Sequence, residues 1–315
     1  MFHGEDMNIV TVTLNPAFDM HCFCKDFRVY RENFAVVTEF DAGGKGVNIS
    51  RALAAAKVQS KTVVAVGREN GSEYLKALDA GKVNYTAVMT DGRIRENITV
   101  HTENAPETRI SFGGFTADVS LLSEIEKAIG KTDPDTIVTF SGKNPQGIDI
   151  EDIKSLIKRV KSTGAKTVLD SSSFEIADVI DAGAWLIKPN EEEVARYAGI
   201  SEPSIDQIID FAFRTRKSGT ENVMVSLGKR GAMLVCAEGV FSAKPPKIDA
   251  ISTIGAGDSS VAGFVKAASE GKNAEECLRM AVAFGSAACL TSGTRPPEGK
   301  DIEKLFSAIK TEKLS

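Results

Sequence analysis

An α/β fold, with a mostly parallel central sheet flanked by helices and a second small β-sheet beside it, is predicted by three features of the sequence. Short β-branched runs alternate with stretches of helical periodicity along most of the chain, the pattern of strands joined by crossover helices. Two glycine-rich turns, Asp41-Ala42-Gly43-Gly44-Lys45-Gly46-Val47-Asn48 and Ser252-Thr253-Ile254-Gly255-Ala256-Gly257-Asp258, each run directly into a helical stretch. Two further stretches, about 20–40 and 84–112, read as strands with no helix between them.

Taken in order, residues 9–14 are apolar and β-branched and form the first strand. After the first glycine turn, Ile49 and Leu53 stand one helical turn apart. A strand at 62–66 is followed by a helix through Tyr74 and Leu78. Within 84–112, Thr99 and His101 alternate with Ile98 and Val100, the period of a half-exposed strand. Then come a strand at 136–140 and a helix at 150–160, strands at 166–169 and 184–187, a helix at 194–197, and a strand at 223–227. The two helix-free stretches flank the first strand–helix unit, so one small sheet built from two insertions accounts for both. Lys244-Pro245-Pro246 and Arg295-Pro296-Pro297 read as loops, and no linker or repeat divides the chain. One domain over residues 1–315, carrying the small sheet, is expected.

Composition narrows the function. A chain of 315 residues that is 42% hydrophobic can bury a large core, and a net charge of −5 without a basic cluster argues against nucleic acid as a partner. No apolar run reaches the length of a membrane span, and Met1 to Asp6 carries two acids where a signal peptide would be basic, so no membrane partner and a cytoplasmic location are expected. Met7 is an alternative start, just ahead of the first strand. The five cysteines are scattered; Cys22 and Cys24 share one face of a strand, where packing is their expected role. The histidines, His3, His21 and His101, form no H-E-x-x-H.

The second glycine turn suits phosphoryl transfer. Backbone N–H groups at a helix N-terminus bind anions, and glycines let a phosphate approach the main chain. Asp258 would repel such a ligand, so it fits a general base facing an acceptor hydroxyl; a plain helix cap is the other reading. Lys45, a cation between glycines, fits an anionic substrate. No Walker G-x-x-x-x-G-K-[ST], H-R-D or D-F-G occurs, which removes two common kinase architectures.

Together the two turns resemble the signatures of the PfkB, or ribokinase-like, carbohydrate kinases; Ala262-Gly263 follows the second at the family's interval. Thr13-Leu14-Asn15-Pro16-Ala17-Phe18-Asp19, the Gly-Gly-Lys-Gly loop and Lys188-Pro189-Asn190-Glu191-Glu192-Glu193 resemble the phosphosugar branch of that family. The resemblance implies a ribokinase-like fold whose small sheet is a lid and a dimer contact, with ATP, Mg²⁺ and a sugar phosphate as ligands. It implies that Asp258 is the base and that the N–H groups of Gly255, Ala256 and Gly257 cradle the developing charge. It places the nucleotide near Lys188, Asn190, Glu193, Ser226 and Gly228, with Glu193 organising Mg²⁺ through water and Asp170 as a second metal candidate. Glutamates at a helix start also serve plain dipole complementation, and that reading stands beside it. On the acceptor side it implies Asp19, Gly43, Gly44, Lys45 and Asn48, with Arg95 and Asn97 as the Arg-x-Asn of the lid and Arg93 competing with Arg95. The acceptor would be a ketohexose phosphate such as fructose 1-phosphate or tagatose 6-phosphate.

Three positions depart from the family pattern. Lys57 replaces a glycine after the first helix, which concerns helix termination. Ser141-Gly142-Lys143-Asn144-Pro145-Gln146-Gly147 places an extra cation, Lys143, near the expected substrate region. Ser252 stands where ribokinases often carry an aspartate tied to a monovalent cation, so a potassium requirement is not expected.

Overall fold

The computed structural model describes residues 9–104 and 107–314; Met1 to Asp6, with His3, and the alternative start at Met7 lie outside them. β1 (Ile9–Thr13) opens the central sheet, and the chain leaves it at once for β2 (Ala17–Phe23) and β3 (Val36–Gly43) of the small sheet. α1 (Lys45–Ala55) leads back to β4 (Lys61–Gly67), and α2 (Gly71–Ala80) to β5 (Tyr85–Thr90). β6 (Arg95–His101) and β7 (Thr108–Ser111) complete the small sheet. Then α3 (Ser120–Ile129), β8 (Ile137–Ser141), α4 (Ile150–Ser162), β9 (Lys166–Asp170), α5 (Ile176–Ala182) and β10 (Leu186–Ile187) follow. Next come α6 (Glu191–Ala198), α7 (Ile205–Lys217), β11 (Asn222–Ser226), β12 (Ala232–Cys236) and β13 (Gly239–Lys244). α8 (Ala256–Ser269), α9 (Ala274–Ala288), α10 (Gly299–Ala308) and β14 (Lys310–Lys313) close the chain.

The central sheet has ten strands in the order β14-β13-β12-β11-β10-β9-β8-β1-β4-β5, parallel from β11 to β5 and antiparallel beyond. The inner strands are buried on both faces, which is why β1 and β8 read as nearly unbroken apolar runs. One core packs Val64, Leu78, Ile125, Leu156 and Phe211 on one face; the other packs Ile49, Leu53, Val261, Phe264 and Leu278 on the opposite face. The functional consequence is that all the parallel strands end at one edge, where Ser141, Asp170 and Ser226 sit.

The small sheet runs β3-β2-β6-β7, with β2 parallel to β6. Its own core is slight: Cys22, Cys24 and Val100, so the two cysteines do pack. The expected insertion at 84–112 needs one correction. Tyr85–Thr90 pairs with β4 in the central sheet, Thr62 opposite Tyr85. It is the edge strand there, with only Val88 buried, and a half-exposed edge strand has the same alternation as a strand of an insertion.

Lys57 ends α1 in the left-handed region, at φ 61, where glycine is usual. Val58 N donates to Leu53 O at 2.9 Å, completing the six-residue closing turn. Lys57 is exposed, so relief of the Cβ penalty should outweigh glycine's extra chain entropy. Lys57→Gly is expected to raise stability by about 0.5–1 kcal/mol in denaturant titration, and destabilisation would contradict this.

Candidate active site

Both glycine turns deliver their helices to the same edge of the sheet. α1 begins at Lys45, α8 at Ala256, and Asn48 Nδ2 donates to Asp258 Oδ2 at 2.8 Å across 210 residues of sequence. Beneath them Asp170, at the end of β9, accepts from Lys45 Nζ at 3.1 Å and faces Lys188 Nζ at 3.8 Å. Glycine is required where the first turn meets the small sheet, because a Cβ on Gly43 would lie 2.1 Å from Asp19 Oδ2. In the second turn a Cβ on Gly257 would lie 3.2 Å from Lys188 Nζ, so the lysine ammonium sits against the head of α8.

These charges set one another. Burial and the neighbouring Asp170 push the Asp258 carboxyl up to about 6, while Lys45, Lys188 and the Asn48 bond hold it from rising further. Burial works against the Lys45 ammonium, but Asp170, Asp258 and Glu193 outweigh it and keep it charged. Burial likewise opposes the Asp170 carboxylate, and the two lysines hold its pKa below the ordinary value. Ala256 N–H turns back to Thr253 O at 3.3 Å, whereas those of Gly255 and Gly257 bond no described residue. Of the three amides expected to cradle charge, those of Gly255 and Gly257 are thus the two without a partner among the described residues.

On the small sheet, Asp19 lies between Asp41 and Asn97 in register, and its Oδ1 accepts from Asn97 Nδ2 at 2.9 Å and Arg109 at 3.3 Å. The sequence does not mark Arg109, since a lone arginine on an exposed strand carries no local signal. Arg95 spans the carbonyls of Asn15, Pro16 and Phe112, each at 3.3 Å, and burial lowers its pKa. Arg93 pairs with Glu96 at 2.7 Å, away from these groups. Oδ1 of Asn48 and of Asn97 are buried without a partner. Lys143 stands exposed on the loop after β8, and Gly142 of that loop packs beside the Lys45 stem.

A cavity of about 790 Å³ opens on the other side of α8, walled by Lys188, Asn190, Ser226, Gly228, Ala256 and Gly257. The loop at Lys244-Pro245-Pro246, expected only as a connection, forms another wall. Glu193 is not in this cavity. It shares with Asp170 and Lys188 a small space of about 20 Å³, and it exchanges bonds with Asn190 in a capping box, at 2.7 and 2.9 Å. The helix-start reading of the glutamates is thus realised in part.

The profile of the pfkB family of carbohydrate kinases matches residues 30–300. The chain belongs to this family. It is 29% identical over 305 residues to the 1-phosphofructokinase of Escherichia coli K12, covering 96% of this chain and 97% of that one. It is 30% identical to the 1-phosphofructokinase of Bacillus subtilis, covering 97% and 100%. It is 29% identical to the ATP-dependent 6-phosphofructokinase isozyme 2 of E. coli K12, covering 96% and 99%. In structure it matches phosphofructokinase-2 from E. coli in complex with potassium, with a TM-score of 0.89 at 27% identity over 95% of this chain and 98% of that one. The fold is ribokinase-like and the protein is a sugar kinase, a phosphotransferase to an alcohol group.

In a pfkB kinase the acceptor hydroxyl must lose its proton, and the expectation that Asp258 takes it has a consequence for pH dependence. We expect kcat/KM to fall as pH drops through about 6, the limb reporting the free enzyme. Asn48→Leu removes a bond that favours the ionised form, so its limb should move to higher pH; an unmoved limb would contradict the coupling.

Proposed function

We propose that the chain transfers the γ-phosphoryl group of Mg·ATP to the C6 hydroxyl of D-fructose 1-phosphate, giving fructose 1,6-bisphosphate. The carrying observation is Asp258, buried at the head of α8, bonded to Asn48 and facing two lysines beside the large cavity. Asp258 accepts the acceptor's proton, the Gly255 and Gly257 amides and the α8 dipole stabilise the charge that develops, and Lys188 lies against them. The large cavity takes the nucleotide. The orphaned acceptors of Asn48 and Asn97, with Asp19, suit sugar hydroxyls.

Lys45 is bound to Asp170 at the reacting end, so we assign the acceptor's own phosphate to Arg95, with Arg109 and Lys143 at hand. Among the described residues no three His, Cys, Asp or Glu could hold a metal ion. That fits Mg²⁺ drawing its ligands from phosphates and water, with Glu193 acting through water. Asp170 is committed to the two lysines and bears on the metal through them. Buried Ser252 bonds its own turn, through Ile254 N at 3.2 Å, and activity without potassium is part of this reading.

We read residues 1–315 as one kinase domain whose small sheet closes the site as a lid. That sheet exposes Val37, Phe40 and Ile110 on one face, an apolar surface suited to a homodimer. One solved form of phosphofructokinase-2 from E. coli is tetrameric. Among the described residues no helix is long and apolar enough to cross a membrane, and a cytoplasmic location, where ATP is supplied, completes the reading.

Relatives named for either phosphate position leave the acceptor to experiment. ADP release from Mg·ATP should be fastest, at subsaturating concentration, with fructose 1-phosphate among fructose 1-phosphate, tagatose 6-phosphate, fructose 6-phosphate and fructose. Preference for tagatose 6-phosphate would make it a tagatose-6-phosphate kinase with the same chemistry, and silence on all four would favour a non-catalytic sugar-phosphate-binding regulator. Asp258→Asn should lose about 10²–10⁴ in turnover while keeping the fold; near-wild-type turnover would remove the base. Sedimentation at micromolar concentration should show a dimer, and monomer alone would refute the lid contact.

A further inference from the structure

A second cavity, of about 630 Å³, lies at the opposite edge of the central sheet, where β9, β10 and β11 begin. It is comparable in size to the nucleotide cavity but shares no wall with it. Lys166, Arg216 and Lys272 bring three cations to it, against the carboxylates of Glu221 and Glu238.

Its wall carries unmet hydrogen-bond demand. Arg216 Nε and Thr220 Oγ1 are both buried without a partner, and Thr220 is wholly inaccessible. A buried donor without an acceptor costs about 1–3 kcal/mol, and of these two it is the half-buried Arg216 guanidinium that reaches the cavity. Lys166 and Arg216 are in no ion pair among the described residues. The Lys166 ammonium instead sits 5.3 Å above the centroid of the Trp185 ring. Thiol chemistry is not on offer there, since burial pushes the Cys277 thiol up to about 12 and raises that of Cys236 as well.

We propose that this cavity is a second binding site, which takes a small hydroxylated phosphate monoester. The phosphate oxygens accept from Arg216 and Lys166, a forked guanidinium beside an ammonium being a fitting phosphate cradle. The carboxylate of Glu221 accepts from ligand hydroxyls, and the two acids would repel a second phosphate. That separates this ligand from a nucleoside triphosphate or a sugar bisphosphate. Glu238 already holds Ala274 N, at 3.3 Å, and shapes the wall.

The placement relates the site to catalysis without merging the two. β9 runs from Lys166 in this cavity to Asp170 in the active site, about 13 Å at ordinary strand rise. Trp185 and Lys188 stand at the two ends of β10, and α8 carries Asp258 at one end and Phe264 towards the other. The proposal does not depend on which acceptor the kinase phosphorylates.

Trp185 is the one tryptophan in the sequence, so its emission reports on this cavity directly. The full-length protein would be titrated with glycerol 3-phosphate, inorganic phosphate and glycerol. A saturable change in emission is expected with glycerol 3-phosphate, a weaker one with phosphate and none with glycerol, as Lys166 leaves the ring for the ligand. Arg216→Gln should weaken the response at least tenfold (~1.4 kcal/mol) and leave kinase turnover at the wild-type level, which also shows that the variant folds. Lys166→Gln should weaken it too, and ADP at saturation should not displace the probe. No saturable change up to ~20 mM, an undiminished response in both variants, or loss of the response with ADP would each overturn the second site.

Discussion

Asp170 is the counter-charge on which the active site depends. It is buried, and it serves Lys45 on α1 and Lys188 after β10 at once, so that one carboxylate ties three elements together below the reacting groups. Taking these charges from water costs several kcal/mol each, and mutual pairing offsets it only when the geometry is close. Because the two lysines are largely committed to Asp170, Asp258 receives only part of their field. Burial then wins, and its carboxyl rises instead of falling. The result is a carboxylate that is ionised at neutral pH yet close enough to it to take a proton, as the base of the proposed reaction must be.

The fold supplies this arrangement by simple means. Parallel strands end together, so β8, β9 and β11 bring Ser141, Asp170 and Ser226 to one edge, and the two glycine turns aim the N-termini of α1 and α8 at the same place. The small sheet is attached where β1 ends and α1 begins, so its strand β2 sets Asp19 against Gly43 with no intervening linker. Both helix heads and both sheets must therefore be in register before the site exists.

Much of this was legible beforehand because it is local. The glycine turns, the strand–helix alternation and the placing of Asp258 on a helix head are written in neighbouring residues. What was not legible depends on approach through space. Nothing in the sequence joins Lys45 to Asp170 or Arg109 to Asp19. Half-burial looks alike in both sheets, so the sequence pattern does not separate the edge strand Tyr85–Thr90 from a strand of the insertion. The Asn190–Glu193 spacing fits both a nucleotide motif and a capping box, and its hydrogen bonds show the second. At Lys57, where the pattern concerns helix termination, the backbone is left-handed, in accord with it.

The central claim is that burial, checked by Lys45, sets the proton affinity of Asp258. Carbon-13 NMR of aspartate-labelled protein, titrated in the absence of ligands, measures it directly. The account predicts a carboxyl that titrates near 6 and moves to higher pH in Lys45→Met, where a stabilising charge has gone. A midpoint near the ordinary aspartate value of about 4, or one that Lys45→Met leaves in place, would contradict it.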